Sequence, residues 1–211
     1  MDTRRTIVVV LFAGLVAAGA AGCAPPTGGQ PSSTSTPEPS VAPTTTPTPP
    51  AADDPSTWLI SELGVGPVEI GGDFASTLAG LPDTWTNDQE NCAWTAWLNV
   101  PEAGYGVAFV RGPESETAPI SEISVYDSGE GKPTDGAPAT AEGLGLGASK
   151  DEILAEYPGA EEGTAQIGGG TWLELPSDGP AHVFFEFREG ETTASDVVVT
   201  TRSEPSYEVC G

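Results

Sequence analysis

Few residue types in this chain of 211 residues can do covalent or coordination chemistry: three cysteines, one histidine and a large stock of 31 aspartates and glutamates. His182 is the sole histidine. Zinc wants three or four nitrogen or sulfur ligands, and no thiol pair lies near it in the chain. A Ser-His-Asp relay would have to use His182, which precedes a strand-like run with no nucleophile-elbow signature. The histidine reads as a surface or edge-strand residue. Gly143-Leu144-Gly145-Leu146-Gly147-Ala148-Ser149-Lys150 invites a phosphate cradle, since glycines before a helix N-terminus hold anions. No apolar strand precedes it, however, and the Gly-Lys-Ser/Thr order is missing, so it reads as a turn into a helix. The oxygen-rich stretch from Asp127 to Gly136 has glycine at two of the positions where calcium needs ligands, and reads as a linker. Paired carboxylates for glycoside hydrolysis stay open to any acids that meet in space. No catalytic motif emerges, and the expectation is a non-enzyme with no cofactor and no metal.

The tryptophans offer recognition chemistry instead. Trp94 and Trp97 differ in strand parity, so one points inward and the other outward. An exposed indole on a sheet face is a typical binding hot spot, which makes Trp94 and Trp97 the candidate binding surface. Core packing is the competing reading for these two and for Trp58, Trp85 and Trp172.

Ahead of all this stands a leader: Arg4 and Arg5, an apolar run from Ile7 to Val16, and the small-residue close Ala20-Ala21-Gly22-Cys23. That is the anatomy of a secretory signal, and it resembles a bacterial lipoprotein signal, with Ala20 where such signals usually carry Leu. The resemblance implies cleavage after residue 22 and a diacylglyceryl group on Cys23. The apolar stretch falls short of the ~20 residues that span a bilayer, and two acyl chains anchor stably where one does not. Residues 1–22 are thus expected as signal peptide, and the mature chain as bound to the outer face of the cell membrane through lipid at Cys23.

Residues 23–57 follow as a stalk rich in Pro, Thr and Ser. They have almost no apolar surface to offset the entropy of ordering, and polyproline-like spacers extend ~3.1 Å per residue. The formal net charge of the whole chain is −24, from 31 acidic and 7 basic residues. Without Asp2, Arg4 and Arg5 it becomes −25. Nucleic acid, which is bound by neutralising phosphates with Lys and Arg, is therefore not an expected partner, nor is an anionic lipid surface.

In residues 58–211 one pattern occurs twice. Ile70 to Pro82 aligns without gaps on Leu146 to Pro158, 76 positions later, pairing Gly71 with Gly147, Leu78 with Leu154, Ala79 with Ala155 and Pro82 with Pro158. Ser149 and Glu152 form a capping box and Asp73 is the cap of the first copy. Each copy leads to a Trp-containing strand (Cys92–Trp97; Thr171–Leu175), an alternating aromatic run (Tyr105–Arg111; Val183–Arg188) and a third run (Ile120–Tyr126; Asp196–Thr201). The fold class expected is α+β, as two tandem units over 58–135 and 136–211, each one short helix followed by about three antiparallel strands. Two such units in tandem resemble the β-lactamase-inhibitor-protein-like architecture. With the helix approaches Gly64-Val65-Gly66 and Gly143-Leu144-Gly145-Leu146-Gly147, the chain looks still more like uncharacterised Cys-anchored lipoproteins of high-G+C Gram-positive bacteria.

With Cys23 acylated, Cys92 and Cys210 remain, and in an oxidising exterior they most simply pair. Free thiols or a link to a second chain are the alternatives. The functional expectation is a non-catalytic protein-binding or scaffold module whose partner is an envelope protein. A cell-wall or glycan hydrolase with paired carboxylates, or a small-ligand or cation receptor, are the other classes.

Overall fold

The computed structural model describes residues 51–129 and 134–210, all of which belong to one compact unit, Thr46–Gly211. Cys23 and the leader lie outside the described residues. Residues 51–57, assigned above to the stalk, are built into the unit. Asp54 caps a short 3-10 turn, Pro55–Thr57, with proline at its first position. The indole N–H of the buried Trp58 then donates to the Ala51 carbonyl at 2.8 Å.

A small sheet comes first, formed by β1 (Ile60–Ser61), β2 (Gly64–Val65) and β3 (Val68–Glu69) in that order. After it come helix α1 (Phe74–Gly80) and the strands β4 (Trp85–Thr86), β5 (Thr95–Val100), β6 (Tyr105–Arg111) and β7 (Ile120–Asp127). Helix α2 (Lys150–Glu156) is followed by β8 (Glu161–Thr164), β9 (Thr171–Glu174), β10 (His182–Phe187) and β11 (Asp196–Thr200). The last eight strands make one antiparallel sheet, ordered β4-β5-β6-β7-β11-β10-β9-β8. Its seam is β7 against β11, with Val125 opposite Val197 and Ile123 opposite Val199.

This overturns the α+β expectation. The described residues are mostly β, in sheets of three and eight strands, and the two helices have only seven residues each. Nor are there two helix-plus-three-strand units. The sequence pattern resolves into two four-strand meanders, and the β7–β11 pairing merges them into one sheet. The physical reason lies in β7 and β11 themselves. Both are rich in Val and Ile and both bury residues on two faces, which suits a central strand and not the edge of a separate small sheet.

The helices cover one face of the large sheet. Each is held by a buried side chain near its start, Phe74 in α1 and Ile153 in α2. Phe74 packs on Phe109 with ring centroids 5.0 Å apart, Phe109 on Trp85 at 5.2 Å, and Trp85 stacks on Trp58 at 6.3 Å. Val107, Phe109, Val125, Ile123, Val197, Val199, Phe185 and Leu173 complete this core, each such side chain contributing roughly 1.5–3 kcal/mol by its burial. The caps form as the residues dictate: the Asp73 carboxylate accepts the Ser76 N–H at 2.8 Å, and Ser149 and Glu152 make the reciprocal box. Asp73→Ala is expected to lower the urea midpoint, because α1 loses the acceptor for its Ser76 N–H. An unchanged midpoint would mean that Phe74 alone holds α1.

Candidate functional site

Alternate residues of the large sheet point away from the helices, and among the described residues this second face is crossed by the C-terminal segment 201–210. One row crosses six of its strands in register: Trp172, Glu186, Asp196, Tyr126, Gly106 and Asn99. The acids Glu186 and Asp196 are direct cross-strand neighbours, so their Cβ atoms lie about 5 Å apart. An aromatic ring flanks them on either side, and each ring lies across a glycine. A Cβ on Gly106 would sit 2.4 Å from the Tyr126 ring, and one on Gly163 would sit 2.0 Å from that of Trp172. The absence of a side chain at these two positions is what lets the rings lie flat against the strands. Tyr126 also donates its hydroxyl to Asn99 Oδ1 at 2.9 Å, and Trp172 meets Phe184 edge-on at 5.2 Å. The buried Trp172 Nε1–H has no partner.

The electrostatics of the row are unusual. Burial, reinforced by the negative charges of Asp196 and Glu122, pushes the Glu186 carboxyl up to about 7. Burial also raises Asp196, with Asp127 adding to it and a Ser195 hydrogen bond and Arg188 opposing. Glu122, only 2% exposed, is raised by burial against hydrogen bonds from Thr200 and Ser206 and the charge of Arg202. A cavity of about 470 Å³ opens at Glu186 and Asp196, with Ile167 and Gly168 of the β8–β9 hairpin and Ser206 and Tyr207 in its lining.

The C-terminal segment 201–210, a strap, crosses the remainder of this face. The Ser206 N–H and hydroxyl donate to Glu122 at 3.2 and 3.1 Å, and Tyr207 meets Gln166 of the hairpin. Cys210 is disulfide-bonded to Cys92, with Cα atoms 5.5 Å apart. Both sulfurs lie beside the buried Thr95.

No protein-family model, curated protein or solved structure matches this chain.

The two candidate tryptophans have different surroundings. Trp97 is half-buried on this second face, opposite Thr86 and Ala108. Trp94 lies just before β5, and its indole N–H donates to the Val209 carbonyl of the strap. The register neighbours of the two acids on the adjoining strands are Trp172 and Tyr126. Periodicity hid this row, because acids at alternate strand positions read as solvent-facing.

The other sequence motifs have structural occupations. Lys150 points its ammonium at Glu162 (2.5 Å) and Thr171 (2.7 Å), and stands 4.9 Å from the centre of the Phe187 ring, so it is not free to hold a phosphate. The equivalent place 76 residues earlier has the partners exchanged: there the helix supplies the ring, Phe74, and the strand supplies the cation, Arg111, at 5.7 Å. His182 pairs its Nδ1 with Glu174 at 2.6 Å. Asp127 accepts the Gly129 N–H at 2.9 Å and lies 3.2 Å from Arg188. Among the described residues no three His, Cys, Asp or Glu side chains form a set that could hold a metal ion, and no helix is long and apolar enough to cross a membrane.

Proposed function

We propose that this chain is an exported lipoprotein, held on the outer face of the cell membrane through Cys23, that works as a non-catalytic binding module. Its second sheet face, the one turned away from the helices, meets an envelope protein. The observation that carries this reading is the row Trp172–Glu186–Asp196–Tyr126, whose two acids open on a cavity that the C-terminal strap covers only in part. Two neighbouring carboxyls suit the ammonium of Lys or the guanidinium of Arg through charge, and the rings of Tyr126 and Trp172, which lean outward over Gly106 and Gly163, extend the row on either side. A partner presenting such a cation also fits the acidic balance of the chain.

The test is capture from an envelope extract by the full-length protein and its variants. A specific partner is expected to be retained by the parent chain and by Asp151→Asn, whose side chain is on α2. Its affinity is expected to fall about tenfold or more in Glu186→Gln, as buried charge pairs do when one member is removed, and measurably in Trp97→Ala. Equal losses in Asp151→Asn and Glu186→Gln, with none in Trp97→Ala, would show that only bulk charge matters. For the anchor, Cys23→Ser is expected to free the domain from the membrane fraction, and firm retention would refute lipidation there.

A hydrolase is the second reading, favoured by the placing of Glu186 and Asp196 on one cavity. Both carboxyls are pushed in the same direction, whereas acid–nucleophile pairs are set apart by their surroundings. Release of reducing ends from cell-wall glycan by the parent but not by Glu186→Gln would establish it.

A further inference from the structure

We infer that the Cys92–Cys210 disulfide is a redox latch on the strap, and that a dithiol reductant releases segment 201–210 from the sheet face without unfolding the sheet. The strap has few other ties. Arg202, Ser203, Tyr207, Glu208 and Cys210 are exposed, and Pro205 is its one buried residue. Its hydrogen bonds are scattered single ones: Thr201 to the Ser121 carbonyl, Arg202 N–H to the Thr200 hydroxyl, Ser206 to Glu122, Gln166 to Glu204 and to the Tyr207 hydroxyl, and Trp94 to Val209. Each competes with water, and together they fall short of the entropy lost by ordering ten residues. Covalent closure makes up the difference, because it fixes one end of the strap beside Thr95 while β11 fixes the other.

The two cysteines are unequally exposed. Cys92 is 3% exposed, whereas Cys210 is an exposed residue at the end of the strap, so an incoming thiolate attacks Cys210. That forms a mixed disulfide and expels the Cys92 sulfur, which takes up a proton. The second thiol of the reductant then displaces Cys210, which is protonated in turn. Two electrons and two protons pass to the protein, and the dithiol becomes a disulfide. Once free, the strap uncovers Glu122, whose carboxylate loses the Ser206 donors and gains water. The Val209 carbonyl leaves the Trp94 indole, and Ser206 and Tyr207 withdraw from the Glu186–Asp196 cavity.

Hydrogen exchange on the full chain, with and without dithiothreitol, decides the matter. After reduction the amides of 201–210 are expected to exchange roughly 100-fold faster or more, close to the rate of an open chain, while β5, β6, β7 and β11 lose only the share set by the lower global stability and stay far slower than the strap. Cys210→Ser should give the same pattern without reductant, and re-oxidation of the parent should restore protection. Brief alkylation after reduction should label Cys210 ahead of Cys92. The inference is overturned if the strap stays protected when reduced, or if strap and sheet fall to one common exchange rate, which would make the bond a staple of the whole fold and not a latch on the strap.

Discussion

Replacing Cys92 and Cys210 together by serine is expected to lower the stability of the protein by about 3–5 kcal/mol. The bond closes a sequence separation of 118 residues, and in the chain-entropy account a loop of about 100 residues is worth ~4.7 kcal/mol, less the freedom that a released strap regains. Against a total of about 5–15 kcal/mol for a domain this is a large share, and it corresponds to a fall in Tm of roughly 10–15 °C at this size. Urea titrations of oxidised parent and double variant provide the measurement. They should also show a steeper denaturant slope for the variant, because its unfolded chain is no longer cross-linked and exposes more surface. A loss under about 1 kcal/mol, with the slope unchanged, would show that the unfolded chain is compact whether or not the bond is present.

Stability should fall, not rise, as pH climbs from 5 to 8. Glu186 has an ordinary value of 4.5 and is pushed to about 7 in the folded protein. Between those two values the folded chain holds a proton that the unfolded chain has released, so each increment of pH favours unfolding. The contribution is fully present below about 4.5 and lost through about 7. From the two values it amounts to on the order of 3 kcal/mol. Burial raises Glu122 and Asp196 in the same direction. The exposed acids Asp73, Asp88, Glu142 and Glu152 are lowered by hydrogen bonds, so they act with opposite sign, and only as the solution becomes more acidic than their ordinary values. Glu186→Gln is expected to flatten most of the decline, raising the urea midpoint at pH 8 and leaving it nearly unchanged at pH 5. A parent protein equally stable at both pH values would refute the buried like-charge cluster.

Parts of this architecture were legible in the residues because short-range physics wrote them. Tyr105–Arg111 alternates aromatic and branched residues and forms β6 over the same span. Asp73 and Ser149 are placed to cap their helices, and they do. The two-residue strands β1 to β4 and the polar β8, Glu161–Thr164, were missed. Segments so short or so polar have no alternation to read, and they become strands only because a neighbour offers its ladder. Pairing partners are the other gap. Alternation tells which face a side chain takes but not which strand lies alongside, so β7 against β11 was invisible and two units were expected where one sheet forms. The pairing of Cys92 with Cys210 followed from counting cysteines, whereas the acid row did not follow from counting acids. Glu186 and Asp196 gain their character from strand register, and Glu122 gains its from a segment more than 80 positions away.

The seam between β7 and β11 also governs what an incomplete chain looks like. The middle of the sheet joins residues 122–126 to residues 196–200, so its centre is finished by the last strand in chain order. A growing or prematurely ended chain that lacks Asp196–Thr200 presents β7 as a bare edge lined with Ile123 and Val125, and such an edge recruits any strand it meets. Synthesis errors in the last tenth of the polypeptide therefore leave a sticky, protease-sensitive product and not a smaller working domain, which gives cellular quality control a plain signal to act on.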